Sequence, residues 1–258
     1  AQLLAGSPAT EERTAALMGA LERFTAAGRA TDRDARVAVL DRLGDVWEGS
    51  PADVGHLRRW LTDPDPRVAM AAAVALERWT GLRHEPAPNG ALPRLPLPEW
   101  RELEALQSGL LVMELEGGGL GFGSRAQVHI QLLPFEAPTS AARVAALARD
   151  GVLDGLTLHR VAPNFVVQGG SPGANEYAGH GPYTRDEIGQ IGHWKGTVGV
   201  STRGRDTGDG QLFVNVVDNL RLDHDYTVFG VVVGGLEHLE TIQEGVRIRS
   251  ARWEPWER

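Results

Sequence analysis

Cysteine is missing from all 258 residues. Its absence removes disulfides, thiolate metal sites and cysteine nucleophiles together, and with them any cue to the redox compartment. Lysine is nearly missing too, since Lys195 is the single lysine among 26 basic residues. No block of basic residues occurs, and the net charge of −8 with a pI near 5.5 argues against nucleic acid or another phosphate-rich partner. Long apolar runs are absent as well: none approaches the roughly 20 residues of a membrane span. The opening "AQLLAGSPATEERT" has no initiator Met, basic n-region or apolar h-region. The expectation is a leader removed or a chain cut at this point, in either a cytoplasmic or an extracytoplasmic setting. Arginine in place of lysine, with abundant alanine and glycine, points to a GC-rich bacterial coding background.

What remains is a 42% hydrophobic, 23% charged chain of globular type, long enough for one large domain or two ordinary ones. Its two parts have different grammar. Up to residue 83 the periodicity predicts helices at about 9–27, 33–48, 52–62 and 66–80. In "DPDPRVAMAAAVALERWTG", Asp65 suits an N-cap, Pro66 the first helical position and Gly81 the stop. Val68, Ala71, Ala72, Ala75, Leu76 and Trp79 make one buried stripe. "TDRDARVAVL" at 31–40 echoes "TDPDPRVAMA" at 62–71, an offset of 31 residues that signals stacked helical hairpins. The Asp-Pro-x-x-Arg-Val opening resembles HEAT-type repeats, the alternative being a four-helix bundle with a chance echo. Only two hairpins are visible, so an array longer upstream, or an open end packed on a second domain, is expected. "HEPAPNGALPRLPLP" (84–98) is a Pro-rich connector, followed by a short helix from Pro98 to about Gln107.

From Leu110 onward the pattern is one of strands: "LLVMELE", "QVHIQLL", "LTLHRV", "FVVQGG", "GTVGVST", "QLFVNVV" and "YTVFGVVV". "GGGLGFGS" between the first two reads as a hairpin loop. Two helices interrupt them. "TSAARVAALARDG" carries Val144, Leu147 and Ala148 inward, and "LEHLETIQEG" carries Leu236, Leu239 and Ile242 on one face. Many short strands with two helices predict an antiparallel barrel rather than a βαβ sheet.

Several motifs are lookalikes. "GGSPG" (169–173) matches G-x-S-x-G, but a nucleophile elbow needs the N–H after the serine, and that residue is Pro172. The eight histidines show no ligand spacing, so no metal site is expected, and "DHD" (223–225) reads as a polar turn. "GRDTGDG" (204–210) lacks a phosphate-loop lysine and a following helix, and the glycines of "GGGLGFG" miss the dinucleotide spacing. "LHRVAPNFVVQGG" (158–170) is harder to dismiss. Strand alternation pairs Leu158 with Arg160 on one face and His159 with Val161 on the other. It then sets Val166 and Gln168 opposite Phe165 and Val167. A half-buried guanidinium in so apolar a stretch costs stability without a partner; a salt-bridged arginine at a barrel rim is the structural alternative.

Taken in order, "FEAPTSAARV", "GVLDGLTLHRVAPNFVVQGG", "GPYTRDEIG", "GTVGVSTRGRDTGDGQLFVNVV" and "LDHDYTVFGVVVGG" resemble the cyclophilin family of peptidyl-prolyl isomerases over about residues 108–250. The resemblance implies a closed antiparallel eight-stranded barrel capped by two helices, with a peptide groove on its outer face. The expected division is a HEAT-like helical repeat domain at 1–83, linker and short helix at 84–107, the isomerase domain at 108–252 and a tail at 253–258.

Isomerisation of an X-Pro bond is slow because amide resonance must be broken, a barrier of about 18–20 kcal/mol. No covalent step, metal or cofactor is needed. A guanidinium aimed at the proline nitrogen or the carbonyl favours the twisted amide over the planar one, and the resemblance assigns this role to Arg160. It further implies a proline pocket of Phe165, Val166, Phe213 and Leu222, with Val166 where Met is usual. Gln168 and Gln211 would orient the substrate, and Ser201 and Thr202 would give backbone contacts. Tyr226 stands where His is frequent, and Arg221 where Trp is frequent, a change expected to weaken cyclosporin-type binding and alter the rim. "GDGQLF" departs from the usual Gly-Ser-Gln-Phe-Phe, suggesting a mobile loop before Gln211. Expected partners are proline-containing peptides or unfolded client proteins, with a protein partner on the helical repeats. The alternatives are a non-catalytic proline-peptide module and a chaperone-like scaffold.

Overall fold

The computed structural model describes residue 6 and residues 8–48, 50–90, 95–117 and 125–256, and the chain divides into two compact units, 1–93 and 94–258. The glycine-rich stretch expected as a hairpin loop at 117–124 lies, after Gly117, outside the described residues.

The first unit is helical: α1 (Glu11–Ala27), α2 (Arg33–Asp45), α3 (Pro51–Leu57) and α4 (Pro66–Thr80). The α4 signals act as expected. The Asp65 carboxylate accepts the Arg67 N–H at 2.9 Å, Pro66 opens the helix, and Gly81 ends it in the left-handed region. The buried stripe is wider than the periodicity predicts, because Ala69 and Ala73 are buried too. The expected third helix stops at Leu57 and tightens into a 3₁₀ turn over Arg58–Thr62. That turn buries Trp60, whose indole N–H donates to Thr25 Oγ1 at 3.0 Å. Trp79 stacks on Trp47 and donates to the Leu43 carbonyl.

The sequence echo has a physical counterpart. Arg36, in the first copy, donates to Asp63, in the second, at 2.6 Å, with both side chains nearly buried. Asp63 also accepts the Asp65 N–H at 2.9 Å, so one carboxylate joins the two copies and steadies the start of α4. The connector begins by returning to this unit: Ala87 and Asn89 donate to the carbonyls of Leu61 and Thr62.

The second unit starts with α5 (Trp100–Gln107) and holds one antiparallel sheet. Its strands are β1 (Gly109–Glu116), β2 (Arg125–Leu132), β3 (Arg160–Ala162), β4 (Val166–Gly169), β5 (Thr197–Val200), β6 (Leu212–Asn215), β7 (Val228–Gly234) and β8 (Arg247–Pro255). The order is β3-β4-β6-β5-β7-β2-β1-β8. β1 alternates cleanly, with Leu111, Met113 and Leu115 inward. Between β2 and β3 lies α6 (Pro138–Arg149), which buries Val144, Leu147 and Ala148 as expected. Its cap comes from far along the chain, where the Glu187 carboxylate accepts the N–H groups of Thr139 and Ser140 at 2.8 Å. The second helix, α7 (Leu236–Glu240), is shorter than the pattern predicts, although Ile242 beyond it is still buried.

The expected closed barrel is corrected: the sheet is an open half-barrel with β3 and β8 as its edges. Residues 155–158, not β3, meet β8. Gly155 donates to Ile248, Leu158 to Val246, and Thr157 forms an isolated bridge with Arg247. Gly151 and Gly155 both take positive φ, and this irregular path keeps β3 itself from the seam. The Val161 N–H, on the free edge of β3, donates to Glu244 Oε1 at 3.0 Å. β8 also runs through Pro255, so residues 253–255 of the expected tail lie in the sheet. No helix among the described residues is long and apolar enough to cross a membrane.

Replacing Asp63 by Ala strands the buried Arg36 charge. We expect the helical unit to lose about 3–5 kcal/mol, read by urea unfolding with hydrogen exchange at the α2 and α4 amides.

Candidate active site

Residues directly opposed in an antiparallel ladder stand on the same face. Arg160 opposes Gln168, Gln168 opposes Phe213, and Phe213 opposes Gly199. One row therefore crosses β3, β4, β6 and β5 on a single face. The neighbouring row, Val161, Val167, Val214 and Val198, faces the core. Gly199 is required by the row itself: a Cβ there would lie 2.4 Å from Phe213 Cζ. The ring lies across the space a side chain would fill.

A small cleft, open to solvent, lies over this row. Arg160, Phe165, Val166, Gln168, Ser201, Thr202, Phe213, Leu222 and Tyr226 all line it. Two expected residues sit apart from the lining. Gln211 is buried beneath the cleft, and Arg221 stands at the rim with its guanidinium carbon 4.3 Å from the Phe165 ring centroid.

Two expectations about faces are corrected. Leu158 does not share a face with Arg160; it lies before β3 and belongs to the core cluster. Phe165 is not opposite Val166, because it belongs to the turn before β4 and lines the cleft beside it. That turn is closed by the Phe165 N–H to Ala162 O bond at 3.1 Å, with Asn164 at φ 55°. Alternation fails at both places because neither residue is in a ladder.

A chain of amides fixes the polar side. Arg160 Nη1 donates to Gln168 Oε1 at 3.3 Å, and Gln168 Nε2 donates to Ser201 Oγ at 2.8 Å and to Gln211 Oε1 at 3.3 Å. Gln211 Nε2 in turn donates to the Ala178 carbonyl at 2.9 Å. Underneath, Arg203 Nη1 meets the fully buried Asp209 at 2.7 Å. Burial pushes the Asp209 carboxyl up, and the guanidinium and the Gln211 N–H groups oppose the rise. The loop expected to be mobile before Gln211 is thus tied down by a buried ion pair. It is further closed by Thr207, which accepts the Arg203 N–H and donates to Gly204 O. Ser171 of the "GGSPG" lookalike is equally committed, donating to Ala178 O and accepting from Gly173 N–H.

The apolar end is backed by a residue that sequence reasoning missed. His193 is buried and stacks on Phe213 at 5.9 Å, with Tyr226 edge-on at 6.4 Å. Its Nδ1 lies 3.0 Å from Asp223 Oδ1, and its N–H donates to the same oxygen at 2.8 Å. Asp223 comes from the "DHD" turn, so that turn orients the imidazole behind the aromatic wall. A histidine paired with an aspartate 30 residues away leaves no local spacing signal. Glu176 is the second omission: it lines the cleft, with Oε1 3.5 Å from Arg160 Nε.

A guanidinium beside an aromatic-lined cleft on the outer face of an antiparallel half-barrel is the site that the resemblance to cyclophilins implies. The comparisons agree. Residues 120–255 match the family model described as cyclophilin type peptidyl-prolyl cis-trans isomerase/CLD. Peptidyl-prolyl cis-trans isomerase B of Bacillus subtilis is 36% identical over 131 residues, covering 50% of this chain and 91% of that protein. The peptidyl-prolyl cis-trans isomerase of Helicobacter pylori strain 26695 is 34% identical over 131 residues, covering 49% and 80%. A solved cyclophilin type isomerase of Cryptosporidium parvum shares the fold at a TM-score of 0.50 and 20% identity, covering 57% of this chain and 99% of that one. The chain belongs to the cyclophilin type peptidyl-prolyl cis-trans isomerase family.

The Asp223–His193 contact sets a pH dependence. The His193 backbone N–H, and then its ring, hold the Asp223 carboxyl below the usual carboxylate range. A depressed carboxyl contributes stability above its unfolded pKa of about 3.9, lost as pH falls through the folded value. We expect Asp223→Asn to be less stable than wild type at pH 6 and the gap to shrink toward pH 3. Urea midpoints check this, and a gap independent of pH would show that the charge does not hold the contact.

Proposed function

We propose that the second unit catalyses cis-trans isomerisation of X-Pro bonds in peptides and unfolded proteins through Arg160, without covalent chemistry. One observation carries the assignment of roles: Arg160, Gln168 and Phe213 occupy a single cross-strand row, with the cleft directly above it. The proline ring enters the apolar end, among Phe165, Val166, Phe213, Leu222 and Tyr226. Gln168, Gln211, Ser201 and Thr202 hold the backbone of the preceding residues. In the planar amide the nitrogen lone pair is delocalised; in the twisted state it localises and accepts a hydrogen bond from Arg160. That interaction exists only at the top of the barrier, so it raises the rate rather than merely tightening binding. Gln168 fixes the guanidinium in advance, which limits reorganisation during the twist. Arg221, stacked on Phe165, takes part in forming the rim where a substrate or a cyclosporin-type ring would pass.

We read residues 1–83 as two HEAT-like hairpins that dock client proteins or position the enzyme, 84–107 as the linker and short helix, and 108 onward as the isomerase domain. The Arg36–Asp63 bond between the two sequence copies supports the repeat reading. Met70 and Val74, exposed on α4, supply an apolar surface for a client. The composition supports a bacterial source.

Arg160→Ala is expected to lower kcat/KM by about 10²-fold or more on an Ala-Pro peptide, the scale of losing one transition-state donor. Exchange between cis and trans NMR signals measures it, and equal rates for wild type, variant and buffer would overturn the enzyme reading. For the helical unit, the double change Met70→Asp, Val74→Asp is expected to weaken suppression of client aggregation while short-peptide turnover stays unchanged. Unchanged suppression would remove the docking role.

A further inference from the structure

Resting on the isomerase reading, we propose that Glu176 makes the site selective for substrates with a lysine or arginine one or two residues before the proline. Three observations lead there.

The carboxylate is delivered by a built support. The Glu176 carbonyl accepts from Arg203 Nη1 at 2.5 Å and from Gln211 Nε2 at 3.4 Å, so the buried Arg203–Asp209 pair anchors its backbone. The segment around it is folded on itself. Ser171 Oγ donates to Ala178 O at 2.8 Å, and Asn175 Oδ1 accepts the N–H groups of Tyr177 and Ala178. The position of Glu176 is therefore set by the fold.

Its place in the cleft is polar. The lining combines apolar side chains, with Phe213 and Tyr226 edge to face, and a polar side on which Gln168 donates to Ser201. Glu176 is bridged to the polar side through Gln211, which contacts both its carbonyl and Gln168. With the ring among the apolar side chains and the preceding backbone on Gln168, Gln211, Ser201 and Thr202, as in the proposed isomerase reading, the residues before the proline pass beside Glu176.

The charge is available to a substrate. Arg160 and Glu176 are the two charged residues of the lining, 3.5 Å apart at their nearest, and the Glu176 side chain remains 49% exposed. An arriving cation can share this carboxylate with Arg160, whereas an arriving anion meets repulsion from it. Arg221 adds positive charge over the Phe165 ring, which leaves Glu176 as the one anionic group of the lining.

The test compares Ala-Lys-Ala-Pro-Phe, Ala-Ala-Lys-Pro-Phe and their glutamate counterparts by NMR exchange, with peptide titrations alongside. Wild type should favour the lysine peptides by about threefold to fivefold, the scale of a half-exposed ion pair. Glu176→Gln should bring the ratio near one, Glu176→Lys should invert it, and about 1 M salt should compress it. Equal wild-type rates, or a Glu176→Gln effect of one common factor on every peptide, would overturn selectivity; the latter would leave Glu176 as a positioning residue for Arg160. Failure of wild type to turn over any peptide would defeat the isomerase reading instead, and the titrations would still decide whether lysine peptides bind more tightly.

Discussion

The register between β3, β4 and β6 determines what this surface can do. Arg160 faces Gln168, and Gln168 faces Phe213, only because the three strands pair without a slip. A one-residue slip would turn a strand's whole side-chain set over, exchanging Arg160 for Val161 and Gln168 for Val167. The valine row holds the register, since Val167, Val198 and Val214 are buried in the core that the same strands close. Apolar packing on one face thus secures polar geometry on the other. The glycine at 199 belongs to the same constraint, because Phe213 would otherwise be displaced from the row.

Beneath the groove the molecule carries a more costly device. A buried ion pair is seldom a net source of stability relative to well-packed apolar groups. Arg203 and Asp209 nevertheless lie under the polar end, tied to Gln211, Tyr183 and the Glu176 carbonyl. Their effect is positional: they join the 171–179 and 203–210 segments, neither of which has a ladder to hold it. His193 and Asp223 do the equivalent work behind the aromatic end. Each end of the cleft therefore rests on its own charged support, and the two supports share no residue.

Much of this was legible beforehand, for reasons that differ by region. In α4, cap, proline and periodicity are local signals, and the helix forms at the expected residues. Seven strands follow from short apolar, β-branched runs, two of which alternate. β8 does not, because Ile248 and Ala251 are both buried although three residues apart. A register shift opposite Glu114/Leu115 leaves Arg249 as the extra residue and reconciles them. The cleft residues were reached through family resemblance, whereas their grouping on one face required the cross-strand register. His193, Asp223 and Glu176 escaped because their roles arise from partners distant in sequence. The contacts that hold the loop before Gln211 are not legible in sequence, because burial of Asp209 cannot be read from a glycine-rich string.

The edge at β3 has one more implication. Open sheets invite further strands, and short edges with occupied donors deter them. β3 offers three residues, and the outward Val161 N–H is already taken by Glu244. A strand added there would have to displace Glu244 from the Val161 N–H. The β3 edge is thus a poor template for strand addition, one of the ways an extended peptide can be bound. A short edge with its outward donor occupied gives β-prone segments little to template on.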